Sequence, residues 1–80
     1  MITYQLFRYN IGGDEEVVFE HGDEQTVVDY ALKESSKSGT FYTYRLERLI
    51  NGERTFVGFR FFQNGQEFTH KIVEAISEYI

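Results

Sequence analysis

Two histidines, a run of serines and a cluster of carboxylates are the side chains here whose types could do chemistry. His21 and His70 have no partner at a ligand spacing such as His-x3-His, so each reads as a strand-end or helix-flank residue. Ser35, Ser36, Ser38 and Ser77 lack the strand–turn–helix setting of a nucleophile elbow. The stretch Ser35-Ser36-Lys37-Ser38-Gly39 follows an expected helix and does not open one, so the dipole there repels a phosphate. Asp14, Glu15 and Glu16 could approach a hard cation such as Ca2+. Their spacing fits no calcium loop, however, and consecutive acids cannot all aim at one ion. The sequence has no cysteine, which excludes disulfides, thiol nucleophiles and Cys-ligated metal centres.

The turn Gly12-Gly13-Asp14-Glu15-Glu16 is similar over five residues to the hairpin motif of diguanylate cyclases. Glu16 stands where that family carries Phe, and 80 residues fall short of such a catalytic domain, so that activity is not expected. Paired carboxylates working as acid and base need a cleft, which a two-layer domain of this size hardly forms. The expectation is a non-enzymatic protein with no cofactor and no metal.

The elements that must position these residues follow from patterning. A 40-residue offset aligns Thr3-Tyr4-x-Leu6-x-Arg8 with Thr43-Tyr44-x-Leu46-x-Arg48, and also pairs Gly12, Val17 and Phe19 with Gly52, Val57 and Phe59. These are seven identities in the seventeen pairs from Thr3 to Phe19, which predicts two ββα repeats, about 1–38 and 40–80, in a single domain. Ile2 to Asn10 and Glu16 to His21 read as the first pair of strands. Tyr42, Tyr44 and Leu46 alternate with Thr43, Arg45 and Glu47 as a half-buried strand. Asn51-Gly52 predicts a type I′ hairpin, with Phe56 to Phe62 returning as its second strand.

Each hairpin leads into an expected helix. Asp23 and Glu24 suit the positive end of the first, and Lys33, Lys37 and Gly39 its other end. Asn64-x-x-Glu67 reads as a capping box for a second helix, whose apolar stripe is Phe68, Ile72, Ala75, Ile76 and Tyr79. The predicted fold is α+β: an internally duplicated ββαββα chain forming a four-stranded antiparallel sheet with both helices on one face. Residues 35–39 serve as its linker. Either the two first strands or the two second strands of the repeats lie together at the sheet centre.

Such a sheet has one face left over. The expected inward set is Ile2, Tyr4, Leu6, Val17, Phe19, Tyr42, Tyr44, Leu46, Val57, Phe59 and Phe61. The outward set includes Phe7, Tyr9, Val18, Glu47 and Gly58, and its anchors for a partner are Phe7, Arg45, Phe56, Arg60 and Phe62. A one-residue slip would exchange the faces.

Charge is uneven as well. Residues 1–40 carry the whole net charge of −5, and six acids with no base lie between Asp14 and Glu24. The bland reading is a solvated edge that resists aggregation. The functional reading makes Asp14, Glu15, Glu16, Glu20, Asp23 and Glu24 a patch that docks on a basic protein surface, one that ordinarily holds nucleic acid. Small acidic inhibitors of phages and mobile elements, anti-restriction and anti-CRISPR proteins among them, work in this way. An alternative is single-stranded nucleic acid stacked on the aromatic and arginine face, which a charge of −5 opposes. Another is a structural homodimer. With no long apolar run and no signal-peptide pattern at Met1-Ile2-Thr3-Tyr4-Gln5, the expected location is cytoplasmic, away from membranes.

Overall fold

A computed structural model describes residues 1–10 and 12–69. The element order is β1 (Ile2–Tyr9), β2 (Glu16–His21), α1 (Glu24–Ser38), β3 (Thr43–Ile50), β4 (Glu53–Arg54), β5 (Arg60–Gln63) and β6 (Gln66–Glu67). The strands form one antiparallel sheet in the order β2-β1-β3-β5-β6, with β4 also paired to β3. Helix α1 crosses one face of it.

The centre of the sheet is the pairing of β1 with β3, eight residues in unbroken register from Ile2 opposite Ile50 to Tyr9 opposite Thr43. β1 is rich in aromatic and β-branched side chains, which fit a pleated, half-buried surface, and β3 sets Tyr44 and Leu46 on one face. Leu6 and Leu46 face each other beneath the helix and are buried with Tyr44, Phe62, Val27, Val28 and Ala31. Tyr4, Phe19, Tyr30, Leu32 and Tyr42 surround this core, with Phe19 stacked on Tyr30 at 4.3 Å between ring centroids.

Helix α1 starts where Asp23 places a carboxylate over its first turn. That carboxylate accepts from Thr26 N at 2.9 Å and Thr26 Oγ1 at 2.7 Å, satisfying donors the helix leaves open. These two bonds, the side-chain one first, hold the Asp23 carboxyl below its ordinary pKa. A carboxyl depressed in the folded state stabilises above its unfolded pKa, and that contribution is lost as the pH falls through the folded value. Asp23→Asn keeps an acceptor and removes this titration. Thermal midpoints measured downward from about pH 4 should therefore fall less steeply in the variant, and an unchanged acid limb would exclude the cap as a cause. The helix ends at Gly39, with φ of 58°, after Lys37 in its last turn.

Three expectations are corrected by this architecture. The first concerns the repeat and the four-stranded, two-helix sheet. In the second half, one long return strand from Phe56 to Phe62 does not form; β4 and β5 are short, separate strands joined by residues 55–59. The chain then turns again at Asn64-Gly65, with φ of 54° and 74°, into β6. Asn64 is thus the first central residue of a hairpin and not a helix cap. The described residues hold one helix and six strands, and the shared residues reflect what hairpin strands have in common. The apolar stripe expected for a second helix from Ile72 to Tyr79 lies outside the described residues.

The second correction is the linker. Residues 35–38 are the last turn of α1, and Ser35 is fully buried. Its Oγ donates to Leu32 O and accepts from Gly65 N at 3.0 Å, pinning the β5–β6 turn to the helix.

The third concerns side-chain facing. Against β2, the register slips between Leu6 and Phe7: Leu6 is opposite Phe19, but Phe7 is opposite Val17. Val18 is the extra residue of this bulge and packs on the core, while Val17 turns out beside Phe7 and is exposed. In β5, Phe62 is opposite Tyr44 and fully buried, and Arg60 is opposite Leu46, so both face the helix. Phe61, opposite Arg45, faces away from it. Segment 55–59 takes up an irregular path before β5, so alternation counted from Phe56 arrives with the wrong parity.

Candidate functional site

The face of the sheet turned away from α1 carries a charge cluster built from three elements. Arg45 and Glu47 stand two residues apart on β3 and so share this face. The Asn51-Gly52 turn sets Arg54 opposite Leu49, one step diagonal from Glu47. Glu15, just before β2, reaches across to Arg45.

Glu47 is the hub and has no exposed surface. Its Oε1 accepts from Arg54 Nε at 2.6 Å, while Oε2 accepts from Arg54 Nη2 at 2.8 Å and Arg45 Nε at 2.7 Å. Two arginines and two carboxylates leave the cluster neutral. Aromatic rings wall it. The Arg45 guanidinium lies 4.8 Å from the Phe7 ring centre and 6.0 Å from that of Phe59, and Arg54 lies 5.1 Å from that of Phe56. Phe59, expected inside, therefore packs near Arg45 on the opposite face.

Phe56 itself is different. The residue is 69% exposed, its neighbour Val57 is 55% exposed, and its backbone holds φ of 58°. A bulky side chain in the left-handed region is strained, and little burial offsets that strain.

Of the anchors expected on this face, Phe7, Arg45 and Phe56 come together with Arg54. Arg60 and Phe62 do not, since both are on the helix side. There Arg60 binds Glu67 at 2.6 Å and Glu24 at 2.6 Å; these carboxylates, Glu67 foremost, raise its pKa. Arg54 and Glu47 escaped the reading for function. Their signal was present, because the i, i+2 spacing and the Asn-Gly register together place Arg45, Glu47 and Arg54 side by side.

The six acids expected to form a docking patch are spread along β2 and the start of α1, and most have work within the fold. Glu15 binds Arg45, Glu16 binds Arg8, Glu24 binds Arg60 and Asp23 caps the helix. Glu20 accepts from the neutral Gln5 amide at 2.7 Å, and Asp14 is exposed. Among the described residues, no group of three or more His, Cys, Asp or Glu side chains is placed to hold a metal ion. His21 accepts at Nδ1 from Asp23 N, and the hydroxyls of Ser36 and Ser38 donate to helix carbonyls. His70 and Ser77 lie outside the described residues.

No protein-family model matches the chain, and neither a curated protein nor a solved structure matches it. No helix among the described residues is long and apolar enough to cross a membrane.

Proposed function

We propose that this chain is a small acidic protein-binding module with no chemistry of its own, an inhibitor or modulator of a protein that handles nucleic acid. Phe56, on the sheet face turned away from α1, is its anchor. The observation that carries this reading is the combination of exposure and strain at that residue. Folding alone gains little from an exposed phenylalanine at φ of 58°. A partner that buried the ring would gain an aromatic anchor, with the half-exposed Arg54 beside it. Asp14 and Glu20, which have no cationic partner among the described residues, supply the long-range attraction to a basic surface.

Stacking of single-stranded nucleic acid on the same face is less well supported. Arg45 and Arg54, the arginines of that face, are both engaged by Glu47, so phosphates would have to displace internal ion pairs.

The test uses Phe56→Gly beside Phe56→Ala. Glycine normally destabilises relative to alanine, but at this backbone angle the order should invert, with Phe56→Gly more stable by about 1 kcal/mol. Affinity capture from lysate at low salt, with and without nuclease, is then run with wild type, Phe56→Gly and the double variant Asp14→Lys, Glu20→Lys. A protein that survives nuclease, and is lost with both variants, is the expected result. Capture that depends on nucleic acid, or that Phe56→Gly retains in full, would reject Phe56 as the anchor.

A further inference from the structure

The opposite end of β3 carries a second feature, independent of Phe56. A cleft of about 450 Å3 opens where the ends of β1 and β5, the start of β3 and the segment after α1 meet. Tyr9, Asn10, Thr40, Phe41, Thr43 and Gln63 line it. None of them is charged, and four carry groups that hydrogen-bond without ionising. We propose that this cleft binds a neutral sugar ring.

The lining combines an aromatic ring with a polar edge. Phe41 is 63% exposed and its ring rests against one neighbour. It meets Tyr42 edge-on at 4.7 Å, and Tyr42 in turn lies under the Arg8 guanidinium at 4.6 Å, which Glu16 fixes by an ion pair. An exposed ring at the rim of an uncharged cleft offers a flat apolar face for stacking.

The polar edge is set as well. Gln63 Nε2 donates to Thr40 O at 3.2 Å and to Thr43 Oγ1 at 3.3 Å. That arrangement leaves Gln63 Oε1 to accept and the Thr43 hydroxyl hydrogen to donate. The backbone of Asn10 is held by the turn that follows it, where Gly13 N donates to Asn10 O at 3.0 Å. A pyranose presents an apolar face of C–H groups for the ring and hydroxyls that both donate and accept for the edge. An anion or a cation finds no counter-charge in this lining, and the volume lies within the range of small-ligand clefts.

The experiment is a titration of the isotope-labelled full-length chain, followed by amide shifts, with methyl glucoside, methyl galactoside and N-acetylglucosamine. Adenosine and uridine serve as flat neutral rings, and glucose 6-phosphate as the charged sugar. Saturable shifts confined to the cleft residues with at least one neutral sugar are expected. Binding should weaken roughly tenfold in Phe41→Ala and persist in Phe41→Trp. Phe41 is exposed, so the thermal midpoint of both variants should stay near that of wild type. Absence of saturable shifts with every neutral sugar would overturn the proposal. Shifts that Phe41→Ala leaves intact, or tighter binding of the nucleosides or the phosphorylated sugar, would also overturn it.

Discussion

Glu47→Gln is expected to destabilise this protein by about 3 kcal/mol, although the residue sits on a sheet face that alternation alone assigns to solvent. The carboxylate is fully buried and receives hydrogen bonds from Arg54 and Arg45. Removing one member of a buried ion cluster leaves the others desolvated and uncompensated, which costs more than the pair itself contributes. Glutamine preserves the shape, so the loss isolates charge. The Arg54 side chain is 47% exposed and can turn to water when its partner is lost, so the effect falls at the lower end of the usual range for buried pairs. Arg54→Ala leaves the buried Glu47 Oε1 without its donor while Arg45 still compensates part of the charge, so it should cost about 2 kcal/mol. Urea denaturation of the two single variants and the double variant would give a coupling energy of about 1–2 kcal/mol. A Glu47→Gln protein within experimental error of wild type would mean that the cluster contributes nothing to folding.

Gly65→Ala should be the other severe change, costing about 2–3 kcal/mol. Gly65 occupies the second central position of the β5–β6 turn at φ of 74°, and a β-carbon added there would lie 3.0 Å from Ser36 Cβ. Two terms therefore add: the left-handed backbone, which L-residues disfavour, and a collision with the helix that the hairpin is pinned to. Gly52→Ala separates them. Gly52 holds φ of 84° in the equivalent turn between β3 and β4, with nothing within 4 Å of its notional β-carbon. It should cost about 1 kcal/mol, the backbone term alone. Equal losses at the two glycines would show that the contact with α1 is soft and that the hairpin is not braced against the helix.

The two turns also show why one reading of the sequence succeeded and the other failed. Asn51-Gly52 and Asn64-Gly65 are the same dipeptide in the same backbone conformation. The first was recognised because alternating strands flank it. The second was followed by Glu67 at capping-box spacing, and helix start and I′ turn draw on the same residue types. The choice falls to Gly65 N, which finds the buried Ser35 hydroxyl, a partner thirty residues away in sequence. Local patterning holds no record of that bond.

The acidic run tells a similar story. Composition alone marks Asp14 to Glu24 as a patch, because charges sum along the chain whatever their partners. The fold then hands Glu15, Glu16 and Glu24 to arginines on β1, β3 and β5. Much of the supposed docking charge becomes internal glue, and the exposed aromatic at Phe56 becomes the stronger candidate for contact.

What the sequence determined by itself is a part of what neighbours a few residues apart govern. The β1 and β2 strands, the acidic start of α1 at Asp23 and Glu24, the Gly39 stop and the Asn51-Gly52 hairpin all lie where periodicity, charge and turn chemistry place them. Between the two central arrangements left open, the structure adopts the one that sets β1 against β3. Tertiary structure alone decided the facing of Val17, Val18, Arg60 and Phe62, the burial of Glu47 and the extent of the sheet. The physical reason is parity. A strand's side chains alternate with a period of two, so a single bulge at Val18 or one irregular loop at 55–59 reverses every assignment beyond it. Where such an interruption falls is set by which long-range contacts the whole chain can satisfy at once.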